Sequence, residues 1–394
     1  MGTPADYESE LYGAGATGEV SAFPFDYEEL ERRARAGLDP RSFNYVAGAA
    51  GRESTLRANR AAFQTWEIVP RQLRGSGRRD LGCEVLGTGL AAPLLLAPVG
   101  ALGTLRPDAE RMAAQVAAEL GLASVLSCLS CCRLEELALD LGTWRNQASL
   151  LPAWFQLYWP KDRELALSLV QRAEAAGYSA LVLTVDTWTL AWRPRDLVRG
   201  YLPFLSGQGL ANYLSDPLFR AGLPEPPEQD LRAAVLRWQE IFGNPDLSWE
   251  DVSWLKARTR MPLAVKGICH PDDARAAWDA GADAVVVSNH GGRQVDGARA
   301  SLDCLPEVVA ASPGREVLFD SGVRCGADIL KALALGARAV LLGRPFVYAL
   351  AAHGEPGLRH TLRCLLAELD LTLALSGHRS CSELGPDTLA PRRR

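Results

Sequence analysis

One unit recurs along the chain and limits what it can fold into. It is a helix, a glycine, about two residues, and a short apolar strand that ends on a polar side chain. Residues 108–120 read as a helix before Gly121 and ASVLS; 161–176 precede Gly177 and ALVLTVD. Residues 272–280 precede Gly281 and AVVVSNH, and 327–335 precede Gly336 and AVLLGRP. A glycine just past a helix is the residue that accepts the left-handed backbone there. Helices and apolar strands in alternation imply parallel βαβ units. Eight strands can be counted, at 94–97, 123–126, 154–158, 180–184, 263–266, 284–288, 317–319 and 339–342. That count fits an α/β (β/α)8 TIM barrel. An open doubly wound sheet is the alternative, and it is weakened because no strand-to-helix turn carries G-x-G-x-x-G.

The barrel occupies 93–384, and 394 residues leave room for additions at both ends. Residues 1–92 form an N-terminal arm and helical extension packed on the barrel. In it, 1–25 read as irregular, 27–36 as a helix ended by Gly37, and 54–63 as a helix with Ser54 as N-cap. Residues 64–92 read as extended pieces and turns. A segment at about 187–248, rich in Pro, Gly and Trp, interrupts the repeat after the fourth strand. So long an insertion over the C-terminal mouth of a barrel reads as a lid. Residues 357–374 form an amphipathic helix, and 385–394 a loosely held tail.

Charge and composition exclude several classes. The net charge is −5 and no basic block exceeds the terminal Arg392, Arg393 and Arg394, which argues against nucleic acid as a partner. The longest apolar runs, such as 94–99, are far shorter than a bilayer span, and the polar start MGTPADYESELYG is no export signal. Asp6 stands where a myristoylation signal needs Ser or Thr. Nine cysteines, an odd number, read as reduced thiols of a cytoplasmic protein. Cys128, Cys131 and Cys132 are clustered, but no Cys/His pair at zinc spacing accompanies them, so no metal site is expected.

Barrel enzymes carry their chemistry at the C-terminal strand ends. Those ends hold Pro98, Val99 and Gly100, Ser127, Gln156 and Tyr158, Thr184 and Asp186, and Lys266. They also hold Ser288 with His290 and Arg293, Asp320 with Gly322 and Arg324, and Gly343 with Arg344. His290 can take a proton near neutral pH, and Arg293 can grip a carboxylate. The Gly/Arg turns after strands 7 and 8 fall where barrels bind phosphate. A cofactor with a phosphate tail is favoured, and Lys266 suits a flavin as a cation near its N1. A non-enzymatic barrel that binds a phosphate ligand, and a flavin isomerase, are the rival readings. The histidines at 270, 353, 360 and 378 read as surface or structural.

Several stretches resemble the FMN-dependent 2-hydroxy-acid oxidising enzymes: FNYVAGAAGRESTLRANRAAF, WFQLYWPKDR, LTVDTWTLAWRPRDL, LAVKGI, SNHGGRQ, LFDSGVRCGADILKALALGA and LLGRP. Within them, WRPRDL, the long loop and DYESELYGAG look most like bacterial lactate 2-monooxygenases. The resemblance implies FMN as cofactor, His290 as the base and Asp186 as its hydrogen-bonded partner. It implies Arg193 and Arg293 at the substrate carboxylate, with Tyr45 and Tyr158 bonding the substrate. Lys266, Gln156, Thr184, Ser127 and Ser288 would contact the flavin ring, beside Pro98, Val99 and Gly100. Asp320 would hold the ribityl chain, and Gly322, Arg324, Gly343 and Arg344 the phosphate. A small 2-hydroxy acid, L-lactate first, and O2 are the implied reactants, and a homo-oligomer (tetramer or octamer) the implied assembly. Gly100, where the oxidases usually have Ala, points to oxidative decarboxylation, lactate giving acetate, CO2 and water. The alternatives are release of the 2-keto acid with peroxide, or a dehydrogenase with another acceptor. Leu129 replaces a bulky aromatic common in plant and animal oxidases, leaving substrate size open.

Overall fold

Eight parallel strands close on themselves, in the order of the chain, as a (β/α)8 barrel in a computed structural model that describes residues 3–145 and 153–392. The strands are Leu94–Leu96, Ala123–Ser127, Trp154–Tyr158, Leu181–Thr184, Leu263–Ile268, Ala284–Val287, Glu316–Asp320 and Ala339–Leu342. They are apolar almost throughout because both faces are covered, outside by helices and inside by one another. Alternate residues, among them Leu95, Val125, Val182, Val286, Leu318 and Leu341, fill the interior and are all buried. The barrel is thus a packed core rather than a pore.

A hairpin, Cys83–Val85 with Thr88–Leu90, closes the barrel floor. Val85 and Leu90 join the interior cluster, and Trp154 Nε1 donates to Thr88 Oγ1 at 3.1 Å. With the floor sealed, the other end is the one open to ligands.

The N-terminal residues depart from the expected irregular arm. Asp6–Ala16 is a helix, and it buries none of its own residues. It is fastened by polar contacts instead: Ala5 N–H donates to Asp370 at 3.0 Å, and the Tyr7 hydroxyl bonds His360 Nδ1 at 2.6 Å. The helix Tyr27–Gly37 is capped by Asp26, which accepts from Glu29 N–H at 2.7 Å. Pro40–Ala47 is capped by Asp39 and carries Tyr45 toward the barrel mouth. Ser54 is not the N-cap of its helix, Ser54–Gln64. The cap is Glu53 in left-handed backbone, and Ser54 is drawn instead onto Asp296.

Residues 187–248 are not a bare loop. They hold four short helices and one longer one, Leu231–Ile241, with Phe204, Tyr213, Phe219 and Trp238 buried among them. The stretch Arg344–Leu375 is two helices meeting at a kink at Gly354, where φ is 65° and Pro356 follows, and the second of them is the expected 357–374 helix. The tail is held rather than loose. Leu389–Pro391 pairs antiparallel with Trp66–Ile68, and Leu389 is buried. Met1, Gly2, Arg393 and Arg394 lie outside the described residues. Among the described residues no helix is long and apolar enough to cross a membrane.

Candidate active site

Strand register decides which polar side chains meet at the mouth. Ser127 pairs with Gln156, Tyr158 with Thr184, and Thr184 with Lys266. The ends of strands 2 to 5 therefore present one continuous polar rim. Above it lies a cleft of about 1040 Å³ of atom-free space, its opening included. Tyr45, Pro98, Val99, Gly100, Tyr158, Arg193, Lys266, His290, Arg293, Asp320, Gly322, Arg324, Gly343 and Arg344 all line it. Behind it, Ser288 bonds Lys266 and the His290 backbone and Asp186 bonds His290, while Ser127, Gln156 and Thr184 stand on the paired strand ends.

His290 follows the sixth strand in left-handed backbone, φ 58°. Its backbone N–H donates to Ser288 Oγ at 3.0 Å, which fixes the turn. Its Nδ1 lies 2.8 Å from Asp186 Oδ1, and its Nε2 is 3.4 Å from the Tyr158 hydroxyl on the cleft side. Burial lowers the imidazole's pKa from 6.5; Asp186 pulls the other way, and the charges of Lys266 and Arg193 add to the lowering. The ring is thus held neutral, with Nδ1–H on Asp186 and a lone pair at Nε2 facing the cleft. Burial works against the Asp186 carboxylate, yet His290, Lys266 and the Thr187 hydroxyl together hold it down at about 2. Gly267 makes this placement possible, since a Cβ there would stand 2.7 Å from Asp186 Cβ.

Arg193 and Arg293 face the same space from opposite elements. The Arg193 Nε donates to the Arg293 carbonyl at 3.0 Å, and its Nη2 to Gln294 Oε1 at 2.5 Å. Arg293 donates to the Gly48 carbonyl at 2.6 Å and lies 5.3 Å from the Tyr45 ring centre. Burial, then the charge of Arg193, hold Arg293 down at about 9. Two crowded guanidiniums whose hydrogen bonds go to carbonyl and amide oxygens, with the Asp196 carboxylate as nearby counter-charge, suit a carboxylate.

The rim fits the ring of a flavin. Gln156 accepts from Ser127 Oγ at 2.8 Å, but its Nε2 is buried without a partner, as is Thr184 Oγ1. Each such group costs about 1–3 kcal/mol if left unmet, and the polar edge of a bound ring would meet both. Lys266 is buried, donating to Ser288 Oγ at 2.9 Å and lying 3.0 Å from Asp320 Oδ2. Burial disfavours its ammonium, but Asp320 and Asp186 outweigh that and raise its pKa.

The far corner fits a phosphate. Arg324 is half-buried and its pKa is lowered, first by desolvation and then by the nearby charges of Arg344 and Arg60. Its side chain donates to the Val323 carbonyl at 2.8 Å and otherwise lies over Tyr27, 4.1 Å from the ring centre. Arg60 is paired with Asp328 at 2.7 Å, but no ion pair holds Arg324 or Arg344 among the described residues, and that favours an anion. Gly322, at φ 95°, brings the chain within reach of Asn59, where a Cβ would stand 2.7 Å from the carbonyl oxygen. Arg344 does a second job. It donates to the carbonyls of Val46 and Gly48 at 3.0 and 2.9 Å and of Gly291 at 3.1 Å, tying the Tyr45 helix to the His290 turn.

Four contributors were not picked out in the sequence. Thr187 donates to Asp186 Oδ1 at 2.9 Å and lies 3.2 Å from His290 Nδ1. Gln294 donates to the carbonyls of Asp186 and Thr189 at 2.8 and 3.1 Å. Phe204 and Phe242 line the cleft from the 187–248 segment. Adjacency was the available signal, since Thr187 follows Asp186 and Gln294 follows Arg293. Burial pushes the Cys128, Cys131 and Cys132 thiols up to about 12, which keeps them protonated.

Comparison with known proteins decides the family. Residues 34–391 match the FMN-dependent dehydrogenase family. The chain belongs to that family. It is 42% identical to an FMN-dependent alpha-hydroxy acid dehydrogenase, qulF, of Penicillium citrinum, over 97% of this chain and 95% of the relative. It is 41% identical to an L-lactate oxidase of Lysinibacillus sphaericus, over 93% of each chain. Among solved structures, a soluble mutant of the membrane-associated (S)-mandelate dehydrogenase from Pseudomonas putida superposes with a TM-score of 0.81 at 36% identity. That match covers 93% of this chain and 99% of the other. The chain is an FMN-dependent oxidoreductase of 2-hydroxy acids.

Proposed function

We propose that the protein oxidises a short L-2-hydroxy acid, L-lactate first, with O2, and that it decarboxylates the product before release. The observation that carries the first part is the neutral His290 imidazole on Asp186, its Nε2 open to a cleft flanked by Arg193 and Arg293. The two arginines bind the substrate carboxylate, and the hydroxyls of Tyr45 and Tyr158 bond the substrate's oxygens. His290 takes the proton from the substrate at Nε2, and Asp186 stabilises the imidazolium that results. FMN, when bound, supplies the two-electron acceptor. Lys266 offers positive charge to the electron-rich edge of the ring, whose other contacts are Pro98, Val99, Gly100, Ser127, Gln156, Thr184 and Ser288. Asp320 holds the ribityl hydroxyls, and Gly322, Arg324, Gly343 and Arg344 the phosphate.

Gly100 supports the decarboxylating outcome. A Cβ built there would meet Leu129 and Phe204 at 3.4 Å, so an alanine methyl would fit and would fill space beside the ring. The glycine leaves that space free for a retained keto acid and peroxide to react. The balance is lactate plus O2 to acetate, CO2 and water. Simple oxidation to pyruvate and hydrogen peroxide is the second reading, favoured by the relative named L-lactate oxidase. Product analysis in air separates them. Acetate and CO2 in equal amounts support the first, while stoichiometric pyruvate and peroxide overturn it.

Three further features belong to the same reading. Residues 187–248 act as the lid of the cleft, to which they contribute Leu190, Phe204 and Phe242. A cytoplasmic location accords with nine free cysteines among the described residues. Exposed Trp192, Leu197 and Val198 accord with a homo-oligomer, a tetramer or octamer, and light scattering of the purified protein tests it.

A further inference from the structure

Beside the cleft lies a second chamber, with about 770 Å³ of atom-free space including its opening. Trp188, Leu202, Leu205 and Trp238 line it, and Lys161 is the one ionisable side chain in its wall. Leu190 and Phe242 line both spaces. The two are thus separated by the thickness of a leucine and one aromatic ring.

That ring belongs to an arch over the site. Tyr45 and Phe204 stand 6.2 Å apart edge to face, Phe204 and Trp238 5.2 Å, and Trp238 and Phe242 4.8 Å. Phe242 then meets Tyr158 edge to face at 6.0 Å. The arch runs from one substrate-facing tyrosine to the other, and Tyr158 leads to His290. Phe242 is the member that faces cleft and chamber together while packing on Tyr158.

We propose that Phe242, with Leu190 beside it, is the specificity-determining wall that confines this enzyme to short 2-hydroxy acids. The chamber behind it is apolar space that a longer aliphatic side chain would occupy if the wall were opened. The proposal rests on the 2-hydroxy-acid reading of the cleft. A substrate held by Arg193 and Arg293, with its reacting carbon at His290, has little room to extend past Tyr158 while Phe242 stands there. Removing the ring joins the cleft to the chamber behind it without touching the groups that bind the carboxylate or take the proton.

The test is the second-order rate of anaerobic flavin reduction over a series from L-lactate to L-2-hydroxyoctanoate, in the FMN-loaded protein and in Phe242→Ala. Each methylene fully buried is worth about fourfold. With a chamber partly open to water, the ratio of octanoate-chain to lactate rates rises at least about tenfold in the variant. Adding Leu205→Trp to Phe242→Ala refills the chamber and reverses the rise. Phe242→Leu, which keeps more of the packing on Tyr158 and Trp238, gives an intermediate ratio and serves if the alanine variant does not fold. A ratio within twofold of the parent's overturns the proposal, as does a uniform loss on all substrates or a gain that survives refilling. If lactate and every other 2-hydroxy acid fail to reduce the parent protein's flavin, the underlying reading fails instead.

Discussion

Replacing Asp186 by Asn removes the charge behind His290 and keeps the shape. The Asp186 carboxyl sits at about 2 against an ordinary 3.8, despite burial that pushes the other way. Net of that burial cost, the gap is on the order of 2 kcal/mol of interaction with the groups around it, the His290 imidazole first, then Lys266 and the Thr187 hydroxyl. Most of it is felt only once the imidazole carries the substrate's proton, so Asp186→Asn slows flavin reduction by roughly 10- to 100-fold. The sign of the pH effect follows from the same contact. His290 must be neutral to act, so the rate falls as pH drops through its folded-state pKa, which lies below 6.5. Asp186 is the group that pulls that pKa upward, so the asparagine variant carries the acid limb to lower pH while its plateau drops. Anaerobic stopped-flow reduction by L-lactate across pH 4.5 to 8 reads both quantities. A plateau within threefold of the parent, or a limb moved to higher pH, refutes the assignment of Asp186 as the partner that stabilises the charged imidazole.

Other perturbations reach other parts of the site. Arg324→Ala removes a half-buried cation from the proposed phosphate corner and weakens FMN retention at least tenfold, read by flavin fluorescence on dialysis; unchanged retention contradicts the placement of the phosphate there. Gln294→Leu releases Arg193 and two carbonyls, so the KM for lactate rises at least fivefold with a smaller loss in kcat, and Gln294→Glu, which still accepts from Arg193, recovers part of it. Equal loss in both parameters counts against positioning of Arg193. Gly100→Ala moves product toward pyruvate and peroxide at little cost in stability, because its methyl meets neighbours at 3.4 Å; unchanged products remove Gly100 from the account.

The barrel was legible because its signals are local. A glycine ends four of the helices, and an apolar run follows within a few residues. What the sequence hid was held by distant partners. Asp6–Ala16 lacks a buried stripe, so no periodicity announces it; its anchors, His360 and Asp370, lie about 350 residues on. Leu389–Pro391 looked loose because the strand that holds it, Trp66–Ile68, is as far away. At the site, the strand ends could be read by position, which brought His290, Lys266 and Asp320 into one list. Thr187 and Gln294 carry no chemistry of their own and become visible only through the groups they orient. Arg344 looked like a phosphate ligand by position, yet its guanidinium also ties carbonyls at the end of the Tyr45 helix to that of Gly291 in the His290 turn. Phe204 and Phe242 come from a segment whose short helices leave no repeating pattern.

The account's central claim is that His290 takes a proton from a 2-hydroxy acid bound beside FMN. Mixing the anaerobic protein with L-lactate, and repeating the experiment with His290→Ala, tests it most directly. The account predicts that the parent's yellow flavin band bleaches, while His290→Ala stays yellow and keeps its FMN. A parent that does not bleach with any 2-hydroxy acid, or a His290→Ala variant that bleaches at near the parent's rate, contradicts it.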